Sequence, residues 1–236
     1  RLVLEGLYLE DQDGKVMFEA NHVAAGFEIM PLLEGKFVFT TVRLFGFSFN
    51  LRKHTPESPL NLQFVIDAFA SKDSIKKEKN IDLRFNSIMI RRGNFSYNVD
   101  SEKETPGKFN AKHIDIKNLS AKISLKAFNK DSVNAHIKKM SFDEASGFSL
   151  NKLSLNVVGN RDSAFVQDFE VRLPQTNLKI GRARIDLSEI DSLPALLNNA
   201  PIDLNITPSQ ICLKDLSPFV LSLIHISEPT RHSLIS

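Results

Sequence analysis

Residues 42–51 read Val42-Arg-Leu-Phe-Gly-Phe-Ser-Phe-Asn-Leu51. Val42 and Leu44 are apolar at even positions; after Gly46 the apolar residues Phe47, Phe49 and Leu51 stand at odd ones. Strand side chains alternate between the two faces of a sheet, so an unbroken strand would turn the second set to the opposite face. A bulge at the glycine, where positive φ costs little, absorbs the change and keeps both sets on one face. The device recurs at Leu2, Leu4, Gly6, Leu7 and Leu9, and at Ile88, Ile90, Gly93, Phe95, Tyr97 and Val99. It recurs again at Leu178, Ile180, Gly181, Ala183, Ile185 and Leu187. These stretches predict strands that each hold one continuous apolar face.

Period-two patterning extends outward from them. His113–Lys117 alternates around Ile114 and Ile116, and residues 119–127 place apolar side chains at odd positions. Leu153, Leu155 and Val157 alternate, as do Phe165, Phe169, Val171 and Leu173. Apolar-in, polar-out alternation is the antiparallel style. Asp13-Gly14, Pro106-Gly107 and Gly159-Asn160 read as turns. About a dozen short strands are expected, the mark of an all-β protein. Helical patterning is confined to Pro59–Ala70, where Leu62, Val65, Ile66 and Phe69 share a face, and to Ser192–Asn198. Met30–Leu33 reads as a single turn, and charged Ser71–Asn80 as a connection. Glycines 6, 46, 93 and 181 are spaced roughly as one unit, one unit and two units of a few strands, a degenerate repeat.

The chain of 236 residues is 42% apolar and carries a net charge of +2. That excludes compositional disorder, and the small net charge gives no argument for nucleic-acid binding. Cys212 is the single cysteine, so neither an internal disulfide nor a cysteine-based zinc site is available; it reads as a small core residue. The aromatic residues are 18 Phe, 2 Tyr and no Trp, an almost wholly apolar set with few polar tips to hold a small ligand. No run has the length of a membrane-spanning helix and no signal peptide is visible. The chain opens at Arg1 within strand-like sequence and is read as an internal fragment. Leu221-Ser-Leu-Ile-His-Ile-Ser-Glu-Pro-Thr-Arg231 resembles translated adapter sequence from library preparation. Residues 221–236 are therefore set apart from the fold, and His225 and His232 are assigned no chemistry.

No constellation meets the requirements of an active site. Asp11-Gln-Asp13-Gly14 opens like a calcium loop but lacks the later ligands, and reads as a hairpin turn. His113-Ile-Asp115 would place two potential metal ligands on one strand face, which reads as the solvent side of an alternating strand. His22, His54 and His136 have no ligand spacing, and Ser120, Ser124 and Ser149 lack a nucleophile elbow. No catalytic residue, metal or cofactor is expected. The apolar stripes remain. An apolar sheet face must be covered, and two short helices are too little to do it. Either the sheet folds onto itself, or the face curves into a groove that holds something apolar.

Several segments resemble the TamB/AsmA-like family of diderm bacteria, in its N-terminal AsmA-like region. The resemblance is carried by Leu4-Glu-Gly-Leu-Tyr-Leu-Glu-Asp-Gln-Asp-Gly14, Leu32-Leu-Glu-Gly-Lys36 and the 42–51 stretch. It continues in Phe64-Val-Ile-Asp-Ala-Phe-Ala70 and Ile190-Asp-Ser-Leu-Pro-Ala-Leu-Leu197. It implies a periplasmic protein held to the inner membrane by an N-terminal anchor, with a long sheet bent into a taco-like apolar groove. It also implies phospholipid movement toward the outer membrane, and outer-membrane protein assembly with a BamA-like barrel of the TamA type. The barrel contact would lie outside these residues.

The expectation is thus an all-β, repeat-built, mostly antiparallel sheet over residues 1–220, curved into an open groove, with one or two short helices. Phe47, Phe49, Phe95, Tyr97, Ile123, Leu125, Leu155, Phe169, Val171, Ile185 and Leu187 are expected to line or support a lipid-holding face. The rival expectation is an envelope scaffold whose apolar face is sealed.

Overall fold

The 42–51 stretch lies inside a sixteen-residue strand, β3 (Val38–Lys53). The computed structural model describes residues 1–28, 38–69, 84–128, 132–160, 162–186, 202–207 and 209–219. Before β3 come β1 (Leu2–Glu10) and β2 (Val16–Phe27); after it come α1 (Gln63–Phe69) and β4 (Arg84–Val99). Then follow β5 (His113–Phe128), β6 (Ser132–Glu144), β7 (Ser149–Asn160), β8 (Ser163–Arg172), β9 (Asn177–Asp186) and β10 (Ile202–Ile206). A 3₁₀ turn spans Leu213–Leu216. The Met30–Leu33 turn, the 71–80 connection, the Ser192–Asn198 helix, Leu187 and the 221–236 tail lie outside the described residues.

All ten strands form one sheet in sequence order, β1 to β10, not closed into a barrel. Eight neighbouring pairs are antiparallel, and β3 with β4 is parallel. The parallel pair has a physical cause. The connection from Lys53 to Arg84 contains α1 and is long enough to return along the length of the sheet, which a tight hairpin cannot do.

Left-handed residues break β1, β3, β4, β5 and β8, and the register of β4 to β7 shifts at more than one point. Register carries the apolar face across these breaks. Leu44 pairs with Val23 and Ile90, and beyond the break Phe47 pairs with Ala20 and Gly93. Gly46 makes the break in β3 at φ 58°, a left-handed conformation that costs other residues about 1–2 kcal/mol. Gly93 has a different role. The left-handed residue in β4 is Arg92, at φ 53°. At Gly93 a Cβ would stand 2.3 Å from Phe47 Cε1, so the glycine makes room for a ring on the neighbouring strand. Asn118 (φ 57°) and Asp168 (φ 52°) make the turns of parity in β5 and β8. Gly181 is not in the left-handed region, and β9 changes parity with an ordinary backbone.

Strand directions bring the connections at residues 11–15, 54–61, 100–112, 145–148, 173–176, 207 and 209–219 to one end of the sheet. There Asp11 is buried, its side chain 2% exposed. It accepts hydrogen bonds from Lys15 N (2.9 Å), Asp13 N (3.0 Å) and Asn61 Nδ2 (3.1 Å) and lies 3.4 Å from Arg52. Burial pushes its carboxyl up, but those hydrogen bonds and the Arg52 charge together hold it below the usual carboxylate range. The Asp11–Gly14 stretch is therefore a hairpin turn stitched to β3, with Gly14 N donating to Asp11 O at 3.1 Å.

Candidate functional site

The register assembles one apolar face that runs through all ten strands. On β1 and β2 it comprises Leu4, Leu7, Phe18 and Ala20; on β3 and β4, Leu44, Phe47, Phe49, Ile90, Phe95 and Tyr97. On β5 to β7 it continues through Ile116, Ile123, Leu125, Ile137, Met140, Leu153 and Leu155. On β8 to β10 it reaches Val166, Phe169, Val171, Ile180, Ala183, Ile185 and Ile206. Ten strands at about 4.8 Å spacing make the face about 43 Å wide.

Ten of the eleven residues expected to line the face are described, and the structure brings all ten to it; Leu187 lies outside the described residues. Phe47 is buried at 6% exposure. Phe49, Phe95, Tyr97, Ile123, Leu125, Leu155, Phe169, Val171 and Ile185 are half-buried. The aromatic part clusters on β2–β4. Phe18 packs on Phe47 (centroids 6.1 Å) and edge-on to Phe49 (5.8 Å), and Phe49 meets Phe95 at 6.1 Å. Such pairs add about 0.5–1.5 kcal/mol beyond area burial. Toward β5–β10 the face is aliphatic.

Sequence reasoning left Leu44, Ile90, Met140, Leu153 and Ile180 out of the lining set. Their signal was available in the parity changes of their own strands. Phe165 was grouped with Phe169 and Val171, and here the structure differs. The left-handed Asp168 lies between them, so Phe165 points to the opposite face, opposite Arg184 and under the guanidinium groups of Arg182 and Arg184.

Among the described residues the face has no second layer of sheet over it. The described residues form a single sheet, and their one α-helix is seven residues long. Large apolar side chains at both edges are exposed: Leu2 (52%), Leu9 (43%) and Ile206 (58%). Among the described residues the largest fully buried side chains are Met17 and Val99. One end of the face is closed. Phe219 packs against Phe109 (4.9 Å) and Phe148 (5.0 Å), and Phe148 meets Phe142 of the apolar face. Pro218 O accepts a hydrogen bond from Phe109 N at 3.1 Å, tying the segment after β10 across β5–β7. Cys212, expected in a core, is half-buried in this strap with Sγ 3.2 Å from Gln175.

Several of the polar candidates make structural bonds. His113 Nδ1 lies 3.2 Å from Asn98 Oδ1 and Nε2 lies 3.0 Å from the Glu102 carbonyl. Asp115 faces Lys117 at 3.3 Å rather than a shared ligand site. Glu144 is buried and accepts from Ser146 N at 2.8 Å. Asp143 accepts from Asn118 (3.0 Å) and Ser149 (2.8 Å), which hold its carboxyl below the usual range. Among the described residues no group of three or more metal-ligating side chains converges. No helix there is long and apolar enough to cross a membrane. No family model matches the chain, and no curated protein matches it.

Proposed function

We propose that this chain is a segment of a non-enzymatic lipid conduit, its apolar sheet face curved into a groove that holds phospholipid acyl chains. The observation that carries the reading is one apolar face, ten strands wide, without a second sheet over it among the described residues. Apolar area in water is unfavourable, and each CH₂ of an acyl chain laid on such a face returns about 0.8 kcal/mol. Two long chains would be retained without specific polar contacts. The resemblance to the TamB/AsmA-like family supports the same reading. That resemblance implies a periplasmic segment of a longer, inner-membrane-anchored protein that moves phospholipid outward and assists outer-membrane protein assembly through a TamA-type barrel beyond these residues.

The rival scaffold reading requires a sealed apolar core. Organic extraction and mass spectrometry of the purified chain decide between them. Co-purified phospholipid, lost in Phe95→Glu and Ile185→Glu variants that keep their β-sheet circular dichroism, is expected. A folded chain that extracts without phospholipid sinks the conduit.

A further inference from the structure

On the polar face, opposite the apolar one, the breaks of β3, β4 and β5 frame an open cleft of about 520 Å³. Phe45, Arg91, Arg92, Lys122, Lys138 and Lys139 line it. None of these five cations forms an ion pair with another described residue. Lys122 and Lys139 stand directly opposite one another in the β5–β6 register. Like charges in that arrangement repel. The same sheet meets the same problem once more and solves it. Lys152 and Arg172 are register partners on β7 and β8, and Glu170 lies between them, bonded to both. Lys152 chiefly, with Arg172, holds the Glu170 carboxyl below the usual range despite its burial. The Lys122–Lys139 pair has no such carboxylate among the described residues.

A second observation concerns the backbone. Arg92 carries the left-handed conformation although Gly93, next in sequence, would adopt it freely. That conformation sets two consecutive arginines, Arg91 and Arg92, at the cleft and brings the Arg92 guanidinium 5.5 Å from the centre of the Phe45 ring. Phe45 is 38% exposed there. Strain of this kind persists where surrounding structure enforces it, commonly at binding sites.

We propose that this cleft binds an anion bearing two or more phosphate groups. Five cations exceed the charge of a single phosphate, and paired arginines offer the forked donors that phosphate oxygens accept. The anion takes the place that Glu170 holds on the neighbouring strands. The site lies on the other face from the proposed acyl-chain groove and does not depend on it.

Calorimetric titration of the full chain with sodium tripolyphosphate tests the assignment. Saturable binding that weakens with added NaCl is expected. Lys122→Gln/Lys139→Gln should bind about tenfold more weakly or worse, whereas Arg182→Gln/Arg184→Gln, which removes equal charge elsewhere on the same face, should stay within about twofold. Absence of binding, or equal loss in both double variants, overturns the site. Circular dichroism confirms that each variant is folded. Sedimentation with phosphatidylcholine vesicles, with and without cardiolipin, identifies the source. Cardiolipin-dependent binding displaced by tripolyphosphate assigns a lipid headgroup, and tripolyphosphate binding without vesicle binding assigns a soluble anion; both uphold the site. Phospholipid other than cardiolipin recovered by extraction should be unchanged in Lys122→Gln/Lys139→Gln, so failure of the cleft and failure of the conduit are read separately.

Discussion

The same ten strands present two faces that obey different rules. On one face, direct register partners are apolar almost without interruption, as in the row Val23, Leu44, Ile90, Ala121 and Met140. On the other, partners are mostly polar or charged, as in Glu19, Ser48 and Asn94. The apolar face gains from every neighbour because dispersion and water release are non-directional. The polar face gains only where a specific partner is placed, as with Glu170, and otherwise carries repulsion or hydration. A bulge row that keeps the faces separate is therefore worth a local cost in backbone conformation.

The largest test of this difference compares adjacent residues of β3. Phe47→Ala removes a buried ring that Phe18 and the Gly93 gap accommodate, and should lower unfolding free energy by about 3 kcal/mol. Ser48→Ala, on the polar face, should change it by less than about 0.5 kcal/mol. Urea denaturation measures both, and equal effects would break the distinction between the faces.

Next comes the polar group that does support the fold, at the rim of the sheet rather than on its open face. Asp11→Asn should cost about 2 kcal/mol, because it removes the charge facing Arg52 and leaves an amide where several donors converge. The sign with pH follows from the lowered folded-state value. The unfolded carboxyl takes up its proton first as pH falls, so the stabilisation is complete above the ordinary Asp value of 3.8 and is lost below it, through the folded value. Asp11→Asn should flatten the acid limb of the stability curve measured between about pH 6 and pH 2.

The smallest effect sharpens the comparison from the other side. Arg92→Asn places a residue more tolerant of left-handed backbone at φ 53°, and should raise stability by about 0.5 kcal/mol. The same variant should weaken tripolyphosphate binding. Stability and binding moving in opposite directions would mark Arg92 as retained for the cleft; joint loss would mark it as structural. Thermal unfolding with and without tripolyphosphate reads both.

Much of the architecture was legible. The alternation in 42–51, 113–127 and 153–157 is a local property of strands half in contact with an apolar layer, so class, strand positions and face membership could be read directly. Ten of the proposed lining residues reached one face for that reason. Two things were hidden. The Phe165 assignment failed because nothing in a local pattern reveals that Asp168 adopts left-handed backbone. The basic cleft was invisible because Arg91, Arg92, Lys122 and Lys139 are scattered along the chain and meet only through strand pairing.

By itself the sequence determined an all-β sheet with a single apolar face, since period-two patterning and its glycine breaks act within one strand. Tertiary structure alone decided the linear order of ten strands, the parallel β3–β4 pair and the residue at which each strand breaks. It also decided the pairing of Lys122 with Lys139. The physical reason is that hydrogen-bond register couples residues far apart in sequence, and the charge repulsion or ring clearance that results exists only between strands.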